Sequence, residues 1–240
     1  MWNGKLKAVT FSYDDGVTQD IRFIEMLDRY GLKGTFNINS ELLGLEGHLI
    51  RQEKRVNHTK IPPEKVKEVY KNHEVAAHTL THPTLITVED DNEVIRQVEQ
   101  DRLNLEKLTG YEILGMAYPG GGVTYDERII RLIKENTGIK YSRSINSSGN
   151  FELPTNYLDL SPSVYHMDFD KMFALGEEFL NLKPETPKMF YIWGHTYEFD
   201  IHNTWDKMEE FLKMISGKED IFYGTNREVL LPQNLSPKQI

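Results

Sequence analysis

Cysteine is absent from this 240-residue chain. Disulfides and thiolate metal sites are therefore excluded, and any metal must be held by His, Asp or Glu. Long apolar runs are also missing: none approaches the roughly 20 residues that a membrane-spanning helix needs, and no membrane partner is expected. Basic residues are in the minority, with 28 Lys and Arg against 37 Asp and Glu and a formal net charge of −9. Without a basic stripe the chain lacks the electrostatic footprint of a nucleic-acid binder. The opening "MWNGKLKAVTFSYDD" carries no basic-then-apolar leader. On that basis the chain is expected to act in the cytoplasm, or to be the trimmed form of an exported protein. No repeat, low-complexity tract or Gly/Ser linker divides it, so residues 1–240 read as a single domain.

What is present is an alternation of strand and helix patterns. "LKAVTFSY" reads as a buried strand, and Ile21, Ile24 and Leu27 are expected to share the buried face of a helix stopping at Gly31. "KGTFNIN" is a second strand, followed by a polar loop and, after Pro62-Pro63, a short helix. "HEVAAH", "LGMAYP" and "IKYSRSI" follow as strands three to five. Helices from Glu89 to Thr109 and around Ile129, Ile130 and Ile133 separate them. After a long irregular stretch comes a helix over Asp168–Leu180. "KMFYIWG" is the sixth strand, Trp205–Ser216 a helix, and "DIFYGT" the seventh strand. This pattern predicts a mostly parallel α/β sheet. A distorted (β/α)7-type barrel is favoured over an open nucleotide-binding sheet, because no glycine-rich phosphate fingerprint follows strand one.

The polar residues that bear chemistry sit where strands end. Asp14 and Asp15 follow strand one in "TFSYDDG", His78 follows strand three, and Pro119-Gly120 follow strand four. Arg143 ends strand five and His195 follows strand six. In parallel barrels such ends converge on the face where active sites are built. A solvated turn also accounts for Asp14-Asp15-Gly16 taken alone. In "HTLTHP", His78 and His82 are four apart, a spacing that suits two imidazoles on one metal; a surface or capping pair fits it equally. The metalloprotease reading fails, since Thr79 stands where that motif needs Glu. With one carboxylate from another strand, His78 and His82 form a two-His, one-carboxylate site. Such ligation suits zinc, and also cobalt, nickel, manganese or iron.

"FSYDDG", "HTLTHP", "AYPGG" and "IWGH" together resemble the polysaccharide deacetylase family, the NodB-like carbohydrate esterases, from about Lys5 to His195. The resemblance implies metal-dependent removal of acetyl groups from an acetylated carbohydrate. It implies Asp15, His78 and His82 as metal ligands, Asp14 as general base and His195 as general acid. The oxyanion would be held by the metal and a backbone N–H; Pro119 has none, which points to Gly120.

The match also departs from the family pattern. The arginine common before the strand-four proline is replaced by Met116, Ala117 and Tyr118, and Arg143 either supports the site in its stead or forms a surface ion pair. An aspartate that orients the last histidine has no clear counterpart; Asp159 and Asp168 are the candidates. Tyr13 stands where phenylalanine is usual, and Val17 where proline is frequent. His58 reads as solvated, Glu198 and Asp200 as members of a solvated loop or contacts to substrate, Trp193 as core lining the pocket, and Trp205 as packing. Asn39 and Thr225, at strand ends on the same face, are candidates for hydrogen bonds to substrate. Two alternatives accompany the deacetylase reading: a hydrolase of cyclic amides or ureides, and a non-catalytic carbohydrate-binding relative.

Overall fold

The computed structural model describes residues 1–231; the end of the single-domain span, 232–240, lies outside the described residues. The elements, in chain order, are β1 (Lys7–Asp14), α1 (Asp20–Arg29), β2 (Gly34–Ile38), β3 (His48–Arg51), β4 (Lys54–Asn57), α2 (Val66–Val69), β5 (Glu74–Ala77), α3 (Asp91–Thr109) and β6 (Gly115–Ala117). They continue with α4 (Glu127–Asn136), β7 (Tyr141–Arg143), β8 (Val164–Tyr165), α5 (Phe169–Asn181), β9 (Lys188–Gly194), α6 (Glu198–His202), α7 (Trp205–Ile215), β10 (Ile221–Tyr223) and α8 (Asn226–Leu230).

Eight strands make one curled parallel sheet in the order β7-β6-β5-β2-β1-β9-β8, with β10 paired to the start of β1. This is the expected mostly parallel (β/α)7-type barrel. β1 is its axis: all eight residues of "KAVTFSYD" are buried, as a parallel strand covered on both faces requires. The curl is incomplete between β7 and β8. There the irregular stretch spans the gap, with Ser144 N donating to Leu160 O (2.8 Å) and Leu160 N to Ser142 O (3.0 Å). β8, inside that stretch, escapes a pattern-based reading because it is only two residues long.

Helix ends follow local chemistry. Asp90 caps α3 by accepting from Asn92 N, and Gly110 ends it in the left-handed conformation at φ +83°. In α1, Ile24 and Leu27 are buried as expected, but Ile21 is 43% exposed. Phe23 and Met26 complete the buried stripe instead, because Ile21 is rotated off the 20/23/24/27 face.

The expected polar loop after β2 contains an antiparallel hairpin, β3–β4, with His48 opposite Asn57 and Arg51 opposite Lys54. Only Val56 in β4 is buried and nothing in β3 is, so no alternation betrays it. Its turn residues Gln52 and Glu53 take φ +50° and +62° without the Asn-Gly signature of such turns.

Candidate active site

Asp14 is the last residue of β1, beside Asn37 on β2. Its Oδ1 accepts from Asn37 Nδ2 at 2.8 Å, and its Oδ2 is bound by the Arg143 guanidinium. Arg143 is fully buried, 4.6 Å from the face of the Trp193 ring, and donates from Nη1 to Ser144 O at 3.1 Å. The surface-ion-pair alternative is therefore overturned. Burial alone would raise the Asp14 pKa, but the charge of Arg143, with His78 and His195 behind it, holds it below the usual carboxylate value.

At Asp15 the chain turns sharply. Asp15 has φ +84° and Gly16 φ +61°. A Cβ on Gly16 would lie 2.7 Å from the Ile38 side chain, so only glycine fits. His78 follows β5, and its Nδ1 lies 2.8 Å from Ala117 O. That pairing makes Nδ1 the donor and frees Nε2, the arrangement usual for a metal-ligating histidine. Thr79 and His82 take φ +66° and +63°, which swings His82 back beside His78. Asn39 Nδ2 donates to Thr79 O at 2.9 Å, and Leu80 N donates to Gln97 O at 3.0 Å, pinning the loop. One ligand atom each from Asp15, His78 and His82 falls within 4.8 Å of the others, so the donors fit a small divalent ion. Burial pushes the His78 pKa down to about 4, so this imidazole is neutral and ligand-competent near pH 7.

His195 follows β9 and faces the same cleft. Its Nδ1 lies 3.1 Å from Glu198 Oε2, which also accepts from His195 N. The same carboxylate is bound by His166 Nε2 at 2.8 Å and by the Tyr165 hydroxyl. His166 Nδ1 in turn meets the Tyr13 hydroxyl at 3.1 Å. Burial alone would lower the His195 pKa, but Glu198 outweighs it and raises it to about 9. The cleft between these groups has a volume of about 650 Å³ and brings together Asp14, Asp15, His78, His82, Gly120 and His195.

The structure brings the residues of "FSYDDG", "HTLTHP" and "IWGH" to one cleft. Residues 3–142 match the model of the polysaccharide deacetylase family. The chain belongs to that family. No curated protein matches it. Among solved structures it is similar to a candidate polysaccharide deacetylase from Mycobacterium smegmatis, with TM-score 0.67 and 14% identity over 95% of this chain and 90% of that one. A mutant of the peptidoglycan deacetylase PdaC from Bacillus subtilis gives 0.54 and 14%, over 94% and 90%. A mutant of a CE4-family pseudoenzyme of Bacillus anthracis, with restored enzymatic activity, gives 0.59 and 15%; 95% of this chain covers 68% of that one. At these identities the likeness is one of fold.

Several residues of this polysaccharide deacetylase family member differ from their sequence-based assignments. The residue that orients His195 is neither Asp159 nor Asp168. Asp159 accepts from the Tyr125 hydroxyl, and Asp168 starts α5. Glu198 takes the role, three residues after His195, a spacing that a search confined to aspartates passes over. Asp200 is exposed, as expected of a solvated loop, and also accepts from Gln19 Nε2 at 2.9 Å and Trp205 Nε1 at 2.8 Å. Asn39 is spent on the His78 loop, and Thr225 caps α8 in a capping box with Glu228. His58 is drawn into the site, its Nε2 3.2 Å from Asp15 Oδ2. Trp193 lines the cleft and Trp205 is core, as expected. Tyr13, unusual at its position, has a use in the hydrogen bond to His166. Gly120 keeps φ +98°, where a Cβ would lie 2.6 Å from Thr84 Oγ1.

Proposed function

We propose that this chain hydrolyses acetyl groups from an acetylated carbohydrate, N-acetyl amides first and O-acetyl esters by the same machinery. The observation that carries this reading is a single cleft with a three-donor metal site, a carboxylate of lowered pKa and a histidine of raised pKa. Asp15, His78 and His82 would hold a divalent ion, zinc by preference for this N/O donor set. When bound, it supplies Lewis acidity, acidifying water and polarising the acyl carbonyl.

Asp14, ionised because of Arg143, accepts a proton from the attacking water as the water oxygen bonds to the acyl carbon. The Gly120 N–H is assigned to the developing oxyanion. His195, protonated because of Glu198, gives its proton to the nitrogen as the C–N bond breaks, so acetic acid and a neutral amine leave, and release of the Asp14 proton to water with uptake of one by His195 resets the site. The cyclic-amide alternative draws on a missing arginine and on the altered third motif, Met116-Ala117-Tyr118; the Arg143–Asp14 pair answers the first ground and the imide assay tests the second. A purely carbohydrate-binding role has no use for a tuned base and acid.

The test is acetate release by zinc-loaded protein from acetylated chitooligosaccharides, with cyclic imides in parallel. Asp14→Asn should retain metal and lose about 10²–10⁴ in turnover. Full activity in that variant, or hydrolysis of the imides alone, overturns the reading.

A further inference from the structure

The arm from Gly44 to Ile61, which carries the β3–β4 hairpin, does more than wall the cleft. Asp15 sits at φ +84°, a backbone region that a non-glycine residue holds only where the surroundings enforce it. Asp15 N is held by Asn37 O of β2 (2.9 Å), and the arm's last residues hold the rest of the turn. Thr18 N donates to Thr59 O (2.9 Å), Ile61 N donates to Gly16 O (2.9 Å), and Lys60 Nζ donates to the Asp15 carbonyl (2.7 Å). His58 reaches the side chain itself, Nε2 to Oδ2 at 3.2 Å. Its ring packs edge-on against Tyr197 at 5.1 Å, which limits how it can turn.

The two oxygens of Asp15 thus have different neighbours. Oδ2 faces His58, while Oδ1 faces His82 Nε2 at 3.6 Å and Lys60 Nζ at 3.5 Å. His58 is not a member of the three-residue donor group. From this division we infer that His58 is a positioning residue of the metal centre. Its Nε2–H donates to Asp15 Oδ2 and leaves Oδ1 to the ion, so that Asp15 ligates through one oxygen and the arm sets metal affinity. Partners that orient a ligand in this way typically contribute 10–100-fold to metal affinity. The inference rests on the assignment of Asp15 as a ligand.

The experiment is zinc affinity of the purified full chain, measured by competition with a chromophoric chelator, for wild type, His58→Ala and His58→Gln. Cobalt absorption spectra of the same three proteins report the ligand set. His58→Ala should bind zinc about 10–100-fold more weakly. His58→Gln, whose Nε2 can reach and donate to the same oxygen, should recover most of the loss. The cobalt spectra should keep one shape throughout. Unchanged zinc affinity in His58→Ala, or in His58→Leu if the alanine variant does not fold, overturns the inference and leaves the wider reading standing. A changed cobalt spectrum with no rescue by glutamine also overturns it, by making His58 a direct ligand. Absence of zinc or cobalt binding in the wild type removes both readings together.

Discussion

On the metal side of the cleft, Asp15, Thr79 and His82 all have positive φ, between +63° and +84°. On the opposite side, Asp14, Arg143, His195 and Glu198 do not. There the geometry comes from charged side chains bound to one another: Arg143 on Asp14, and Glu198 between His195 and His166. The metal side is shaped by backbone and held by carbonyls and amides, such as Ala117 O on His78 and Lys60 on Asp15 O. A site for an ion must bring several donors to one point, which tight turns achieve. A base and an acid must instead be held apart in pKa, which requires opposite partners, a guanidinium for one and a carboxylate for the other.

The sharpest way to break this comparison is to remove a ligand on one side and the base on the other. His78→Ala and Asp15→Ala should abolish stoichiometric zinc, measured by elemental analysis, and reduce acetate release to background. Asp14→Asn should keep its zinc and lose only turnover. If Asp14→Asn also loses the metal, the two sides are not separable.

The two sides also differ in how far the sequence discloses them. Asp14-Asp15-Gly16 and His78-Thr79-Leu80-Thr81-His82 are short, contiguous patterns at the ends of legible strands, so spacing could pair His78 with His82 while the family resemblance, not the spacing, singles out Asp15 as the candidate carboxylate. Arg143 and Asp14 are 129 positions apart, and a strand-end arginine reads equally well as a surface residue until the barrel curls. His166 lies in the irregular stretch, and its link to Glu198 depends on how β8 pairs with β9. His58 escapes for a similar reason: the hairpin that delivers it has almost no buried residues to mark it. The alternating strands and helices were legible because burial on both faces writes a nearly continuous apolar run in β9, and in β1 apolar residues interleaved with small buried polar ones.

Arg143→Met tests whether the base side depends on charge pairing. It leaves the Asp14 carboxylate buried without its cation, which should cost about 3–5 kcal/mol, or very roughly 10 °C in melting temperature for a domain of this size. Adding Asp14→Asn to Arg143→Met should restore most of that stability, since an amide needs no counterion. Failure of the double variant to recover would mean that Arg143 acts through its stacking on Trp193 instead.

Glu198→Gln probes the acid side more gently. His195 has its pKa raised to about 9, so the wild-type rate should fall only above that pH as the acid loses its proton. Without the carboxylate, burial dominates and the fall should move to lower pH, with roughly a tenfold loss of kcat/KM at pH 8 on an amide substrate. A chromogenic acetate ester, whose leaving group needs no proton, should be affected far less. The stability linkage has the same sign. A group whose folded pKa exceeds its unfolded value of about 6.5 stabilises the fold below that pH, and this contribution is lost as the pH rises through about 9. Equal losses on ester and amide would remove His195 from the acid role.

The smallest effect separates fold from site. Thr225 lies outside the cleft lining, at the start of α8 near the N-terminal ends of β2 and β5; its hydroxyl accepts from Glu228 N, and Glu228 Oε2 accepts from Thr225 N in return. Both groups are committed to starting α8. Thr225→Ala should therefore cost about 1 kcal/mol of stability, the usual worth of an N-cap, and leave kcat and KM on any active substrate within error. A rise in KM without loss of stability would show that the hydroxyl leaves the cap to meet substrate. The cleft would then extend further around the barrel mouth than its present lining.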